Sequence, residues 1–203
     1  MLTLYQCKPA FQNWLRPLVH QLAQRGITPN QLTVAALLLS GVMGLAIANF
    51  PQSPGCFLIF PFVLGARMAL NALDGLLARN YNLTTPLGCL LNEIGDVVSD
   101  AALYLPFSLI PGIAAPWIVG IVLLASLTEM VGVLGWAMTG TRRYEGPMGK
   151  SDRALVFSVI ALGLGLGLEP KPGFTWIWLG IIILQLGTLV NRVRAILAEA
   201  TPC

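Results

Sequence analysis

Charge is what this chain has least of. Only 10% of its 203 residues are Asp, Glu, Lys or Arg, whereas 56% are hydrophobic, and the mean hydropathy is +0.74. A soluble domain carries about 25% charged residues, so a water-soluble globule is excluded. An integral membrane protein is expected, folded as one unit over residues 1–203. The net charge of +3 is too small to suggest a nucleic-acid partner. The N-terminal stretch has no apolar core followed by a small-residue cleavage site, so no cleavable signal is expected. The four cysteines, Cys7, Cys56, Cys89 and Cys203, lack metal or redox spacing and read as ordinary buried or interfacial residues. Repeats, low-complexity runs and a soluble domain are also missing.

Long apolar runs are what the chain does have. Six segments, at about 30–50, 57–79, 88–110, 116–138, 153–169 and 174–195, approach the roughly 20 residues that a membrane crossing needs. Pro and Gly punctuate the gaps between them. Ahead of the first, Phe11, Trp14, Leu15, Leu18 and Leu22 recur at helical spacing, which predicts an amphipathic surface helix over 8–25. The expected fold is therefore an all-α membrane bundle of six transmembrane helices behind a juxtamembrane helix. Lys and Arg set the orientation. With both termini cytoplasmic, only Lys171 falls outside, and Arg67 lies within a span. Trp117, Trp176 and Trp178 then mark the outer interface and Trp14 the inner one. A run of alternating Gly and Leu, residues 162–168, lets helices approach closely in lipid.

Polar groups interrupt two of these spans at regular intervals. Arg67, Asn71, Asp74 and Ala78 share one face of the second. Asn92, Asp96 and Asp100 share one face of the third. Ionisable groups at membrane depth are costly, so such a set marks a functional site. The two spans run antiparallel, and a rise of 1.5 Å per residue puts their polar groups at three matching depths. Asp74 and Asn92 lie about 6–8 Å from the cytoplasmic edge, Asn71 and Asp96 about 12 Å, and Arg67 and Asp100 about 18 Å. The two shallower levels offer hard oxygen donors open to the cytoplasm, suited to Mg²⁺ or Mn²⁺. The deepest predicts a structural ion pair between Arg67 and Asp100, with Glu129 as the rival partner for Arg67. Gly75 and Ala78 leave a shallow surface beside Asp74. Arg79 at the rim is placed to hold a phosphate, and Gly88 frees the first N–H groups of its helix for an anion.

Asn71-x-x-Asp74-Gly75-x-x-Ala78-Arg79, eight residues, then Gly88-x-x-x-Asn92-x-x-x-Asp96 resembles the signature of the CDP-alcohol phosphotransferases, D-x-x-D-G-x-x-A-R followed by G-x-x-x-D-x-x-x-D. The segment Gly26 to Thr33 before the first span is also similar to that family, as is the number of spans. The resemblance implies a reaction: a CDP-activated lipid, usually CDP-diacylglycerol, gives its phosphatidyl group to an alcohol and releases CMP, in phospholipid biosynthesis. It implies divalent metal at Asn71, Asp74, Asn92 and Asp96, with Asp96 the base that activates the alcohol. It places Thr28, Asn30, Gly75, Ala78, Arg79 and Gly88 around CDP. It further implies a homodimer in a bacterial inner membrane.

The departures are Asn71 and Asn92, where the family signature has Asp. Asparagine offers a carbonyl oxygen without charge. One metal, two metals held more weakly, or no turnover are the three consequences to weigh, with Glu93 as a candidate to compensate. For the acceptor, Arg142, Arg143, Lys150, Ser151, Asp152 and Arg153 cluster near the start of the fifth span, and Arg192 and Arg194 end the sixth. This basic rim suits a small phosphorylated alcohol such as glycerol phosphate or an inositol phosphate. Lys150 and Arg153, three apart at a helix start, are placed to converge on one anion, with Arg142 beside them. The positive-inside rule alone also accounts for such residues. Two other functions compete with the enzyme. One is a non-catalytic CDP-lipid-binding protein. The other is a transporter, which leaves Gly75, Ala78, Arg79 and Gly88 unexplained and lacks paired broken helices.

Overall fold

The structure is a computed structural model that describes residues 8–200. Those residues form seven α-helices: α1 (Lys8–Gln24), α2 (Pro29–Asn49), α3 (Pro54–Asn80), α4 (Pro86–Tyr104), α5 (Ala115–Thr139), α6 (Lys150–Gly165) and α7 (Phe174–Glu199). A 3₁₀ turn, Leu105–Leu109, continues α4. Among the described residues there is no strand. Local chemistry sets the boundaries. Thr28 caps α2 through a reciprocal pair with Gln31, at 2.9 and 3.3 Å, which satisfies two otherwise orphaned N–H groups. Thr85 accepts from the Gly88 N–H at 3.0 Å and caps α4. Pro29, Pro54 and Pro86 stand at the first helical position, where a missing N–H costs nothing. Gly140, at φ +72°, closes α5 in the left-handed region.

The six expected spans correspond in order to α2 to α7. Four of them, α2, α3, α5 and α7, are long and apolar enough to cross a membrane. Two fall short of the expectation. α4 carries three acids, Glu93, Asp96 and Asp100, in 19 residues. α6 has 16 residues, about 24 Å at the helical rise, against a hydrocarbon core of about 30 Å. Large apolar side chains face outward from the four long helices, among them Val42, Phe62, Leu123 and Ile183, as expected of helices in lipid.

Helix α1 packs Leu15 and Val19 against Leu32 of α2 and Leu73, Leu76 and Leu77 of α3. Trp14, at 75% exposed, and Leu18 point away from the bundle. His20 Nδ1 lies 2.8 Å from the Tyr81 hydroxyl and ties this helix to the end of α3. The main core lies beyond the polar levels and is aromatic. Tyr104 stacks on Phe157 at 4.1 Å between ring centroids, and Phe60 and Phe107 meet edge to face at 5.1 Å. Trp178 belongs to this core at 1% exposed, which corrects its expected place at the outer interface. Trp176, at 74% exposed, does face outward. In the Gly–Leu run, a Cβ on Gly165 would stand 2.8 Å from Leu58 Cγ, so this glycine serves a contact within the bundle, α6 on α3. After α5 the chain returns through a loop at 140–149 that lies on α7. Gly146 has φ +135° there, and a Cβ would stand 2.4 Å from Thr188 Cγ2. Met148 N–H donates to Thr188 Oγ1 at 2.9 Å.

Candidate active site

Helices α3 and α4 meet through three polar contacts, one for each depth. Asn92 Nδ2 donates to Asp74 Oδ2 at 3.4 Å, Asn71 Nδ2 donates to Asp96 Oδ1 at 2.7 Å, and Arg67 Nη1 lies 2.7 Å from Asp100 Oδ1. The last is a close ion pair without the alignment of a hydrogen bond. Both asparagines thus turn their amide N–H groups to the carboxylates across the helix interface.

The surroundings of the two aspartates differ. Asp74 is buried, and its Oδ2 also accepts from Thr33 Oγ1 of α2 at 2.8 Å. Its Oδ1 is buried without a hydrogen-bond partner. Asp96 is crowded with donors. Its Oδ1 accepts from Asn71 and from Lys150 Nζ at the start of α6, and lies 3.8 Å from Arg67 Nη2. Arg67 Nη2 also donates to the Asp96 carbonyl at 3.2 Å.

Below and beside these levels runs a network of buried charge. Asp100 takes Arg67 on one oxygen and Arg153 Nη2 on the other, at 2.9 Å. Glu129 of α5 is a hub for three guanidiniums: Arg153 at 3.1 Å, Arg142 at 3.1 Å and Arg192 at 3.9 Å. Arg142 also pairs with Glu93 and lies over the Tyr144 ring. Buried charges persist only when paired, and here carboxylates and guanidiniums neutralise one another across α3, α4, α5, α6 and α7. Of the candidate partners for Arg67, Asp100 makes the contact, while Glu129 serves the other arginines.

A cavity of about 540 Å³ opens beside these groups. Asn71, Asn92, Asp96, Lys150, Arg142 and Arg192 line its polar end, and Leu64, Gly65, Met68, Ala154 and Leu155 line an apolar wall between α3 and α6. Ser151 and Asp152 also border it. Asp74 does not line the cavity; it sits behind Asn92 and Thr33.

Three expectations are corrected here. Arg153 is 0% exposed and holds Asp100, Glu129 and Thr128, so it does not border the cavity. Lys150 and Arg153 therefore do not converge on one anion; each faces its own carboxylate, Asp96 and Asp100. Glu93 pairs with Arg142 and so does not stand in for the charge missing at Asn92. At the rim, Asn30 and Gly88 lie together: a Cβ on Gly88 would stand 2.7 Å from Asn30 Oδ1. The Arg79 guanidinium folds back over Gly75, with Nη1 3.2 Å from where a Cβ would be. Ala78, half-buried, lies one residue before Arg79 on the same helix end, and the Thr28 side chain is engaged in its cap. Thr33 and the hub role of Glu129 escaped the sequence reading. Their only signals were a hydroxyl at the end of the Gly26–Thr33 segment and a lone acid in an apolar span.

A family profile of CDP-alcohol phosphatidyltransferase matches residues 26–190. The chain belongs to this family. It is 45% identical over 196 residues to the inner membrane protein YnbA of Escherichia coli (strain K12), with 97% of each chain covered. It is 34% identical over 101 residues to an uncharacterised protein of Aquifex aeolicus (strain VF5), covering 50% of this chain and 47% of that one. The fold is that of the phosphatidylinositol phosphate synthase PgsA1 of Mycobacterium tuberculosis. With CDP-DAG bound, that protein gives a TM-score of 0.68 at 18% identity, covering 90% of this chain and 91% of that one. In complex with manganese and citrate it gives 0.70 at 18%, covering 90% and 88%. CDP-alcohol phosphatidyltransferases are membrane transferases of phospholipid biosynthesis, and this chain is an integral membrane member.

Family membership implies a divalent metal. Among the described residues no three His, Cys, Asp or Glu side chains converge as a ready metal cluster. The residues present nonetheless fit a hard cation. Asp74 Oδ1 is a buried, unpartnered carboxylate oxygen, a costly arrangement that a cation relieves. With their N–H groups turned to the carboxylates, Asn71 and Asn92 each keep an amide oxygen, the type of ligand that Mg²⁺ and Mn²⁺ prefer.

Proposed function

We propose that this protein is a phosphatidyltransferase. It moves the phosphatidyl group of CDP-diacylglycerol to the hydroxyl of a small alcohol and releases CMP. The observation that carries this reading is Asp96, a carboxylate at the polar end of a cavity whose other wall is apolar. Asn71 and Lys150 hold its Oδ1, so Oδ2 is the oxygen that takes the acceptor's proton. The deprotonated hydroxyl attacks the phosphatidyl phosphorus, and the bond from that phosphorus to the oxygen of CMP breaks. The apolar wall between α3 and α6 accommodates acyl chain, while the rim formed by Asn30, Gly75, Ala78, Arg79 and Gly88 receives the nucleotide. Arg79 is exposed and free to swing from Gly75 onto a phosphate. Asp74, with the amide oxygens of Asn71 and Asn92, would hold the divalent cation, which supplies neutralisation of the diphosphate charge. Arg142 and Lys150 border the space left for the acceptor.

All six helices from α2 to α7 cross the membrane in this reading. The two short ones, α4 and α6, turn their polar faces to the cavity. The Lys and Arg distribution supports an orientation with both termini and the cavity mouth on the cytoplasmic side of a bacterial inner membrane. A stripe of exposed Leu87, Leu90, Ile94 and Val98 along α4 supports a homodimer contact there.

The test is CMP release by purified protein from CDP-diacylglycerol, with Mg²⁺ or Mn²⁺, against glycerol 3-phosphate, inositol phosphate, myo-inositol, serine and glycerol. Metal-dependent release with one acceptor is expected. No release with any, together with thermal stabilisation by CDP, would favour the competing reading of a CDP-lipid-binding protein, which the two asparagines motivate.

A further inference from the structure

We propose that the site holds one divalent ion, at Asp74, and that the Lys150 ammonium fills the place of a second cation at Asp96. This rests on the phosphatidyltransferase reading and assigns Lys150 a role in it. The two aspartates are unequal in a way that dictates ion number. Asp74 has a buried oxygen with no partner. Asp96 Oδ1 already takes the Asn71 amide and the Lys150 ammonium, with Arg67 Nη2 at 3.8 Å. An ion entering at Asp96 Oδ1 would have to displace a cation that the chain itself supplies, while Oδ2 is the oxygen kept for the acceptor's proton.

Charge balance leads to the same count. Ion pairs join four carboxylates, Glu93, Asp96, Asp100 and Glu129, to five cations, Arg67, Arg142, Lys150, Arg153 and Arg192, and Asp74, outside those pairs on Asn92 and Thr33, is the fifth carboxylate of the set. The set is neutral as it stands. One divalent ion adds two positive charges, which the two negative charges of a CDP-lipid diphosphate offset. A second would leave two positive charges uncompensated in a half-buried site, where the effective dielectric is low. Asn71 is part of the same device. A carboxylate at this position would face Asp96 across 2.7 Å and add a negative charge that a second metal would offset; the amide donates instead and removes that demand.

The experiment counts ions without turnover. Detergent-purified protein is dialysed to equilibrium against Mn²⁺ and CDP, and bound Mn²⁺ is measured per chain. Wild type is expected to bind one ion, and Lys150→Arg, which keeps the charge, also one. Asp74→Asn is expected to weaken binding at least tenfold. Asn71→Asp combined with Lys150→Met is expected to bind two. Two ions or none in wild type would overturn the proposal, and so would binding unaffected by Asp74→Asn. A count that stays at one in the folded double variant, checked by its melting temperature, would also overturn it. If the double variant does not fold, the wild-type and Asp74→Asn counts decide. Two ions with CMP release refute this inference and leave the transferase standing; one ion without CMP release from any acceptor does the reverse.

Discussion

Asp100 offers a direct test of the charge network, because it joins α3 and α6 through two buried arginines, Arg67 and Arg153. It is 4% exposed, and its oxygens meet Arg67 at 2.7 Å and Arg153 at 2.9 Å. Both guanidiniums are 0% exposed. Asp100→Asn keeps the shape and removes the charge. Arg153 retains Glu129 at 3.1 Å, but Arg67 is left with Asp96 at 3.8 Å as its only anion. Breaking a buried pair by removing one partner costs about 3–5 kcal/mol. For a chain of this size about 2–4 °C accompanies each kcal/mol, so the melting temperature should fall by roughly 6–20 °C. The assay is thermal unfolding in detergent, followed by circular dichroism. Arg153→Met in the Asp100→Asn background should cost less than the same change in wild type, because one of its two carboxylate partners is already gone. A fall of less than about 2 °C for Asp100→Asn, or full additivity of the two changes, would refute the view that these ions hold the bundle together.

Three further outcomes are expected. Asp96→Asn should lower CMP release about 10²–10⁴-fold while CDP-lipid binding, read by thermal shift, persists; unchanged turnover would remove Asp96 from the mechanism. Stripping divalent ions with EDTA should abolish release, and either Mg²⁺ or Mn²⁺ should restore it; turnover in EDTA would refute the role given to Asp74. Gly146→Ala puts a Cβ 2.4 Å from Thr188 Cγ2 at φ +135° and should destabilise the protein by about 1–3 kcal/mol, seen as a lowered melting temperature; a wild-type melt would show that the 140–149 loop shifts freely on α7.

Much of the site was legible because helical periodicity converts sequence spacing into position. Intervals of three and four residues put Arg67, Asn71 and Asp74 on one line, and Asn92, Asp96 and Asp100 on another. Antiparallel crossing through a short loop then brings the lines level, and the three contacts at 2.7 to 3.4 Å follow. The positions of helices α2 to α7 were equally legible from apolar runs and Pro–Gly breaks. What misled was treating every Lys and Arg near the cytoplasmic edge as equivalent. Arg153 and Lys150 share a helix start, yet one is sealed in the core and the other reaches Asp96. Trp178 was likewise assigned by type to an interface, whereas its helix turns it into the aromatic core.

By itself the sequence determined the membrane class, the helical bundle and the family pattern, because these depend on composition and on periods local to one segment. The tertiary structure decided who neutralises whom. Glu129, Arg142, Arg153 and Arg192 come from three helices and a loop, and no spacing along the chain reports their meeting. The same holds for Lys150 on Asp96 and Thr33 on Asp74. Electrostatic partners are chosen by packing across elements far apart in sequence, and that choice separates a bare carboxylate oxygen open to a metal from one already satisfied.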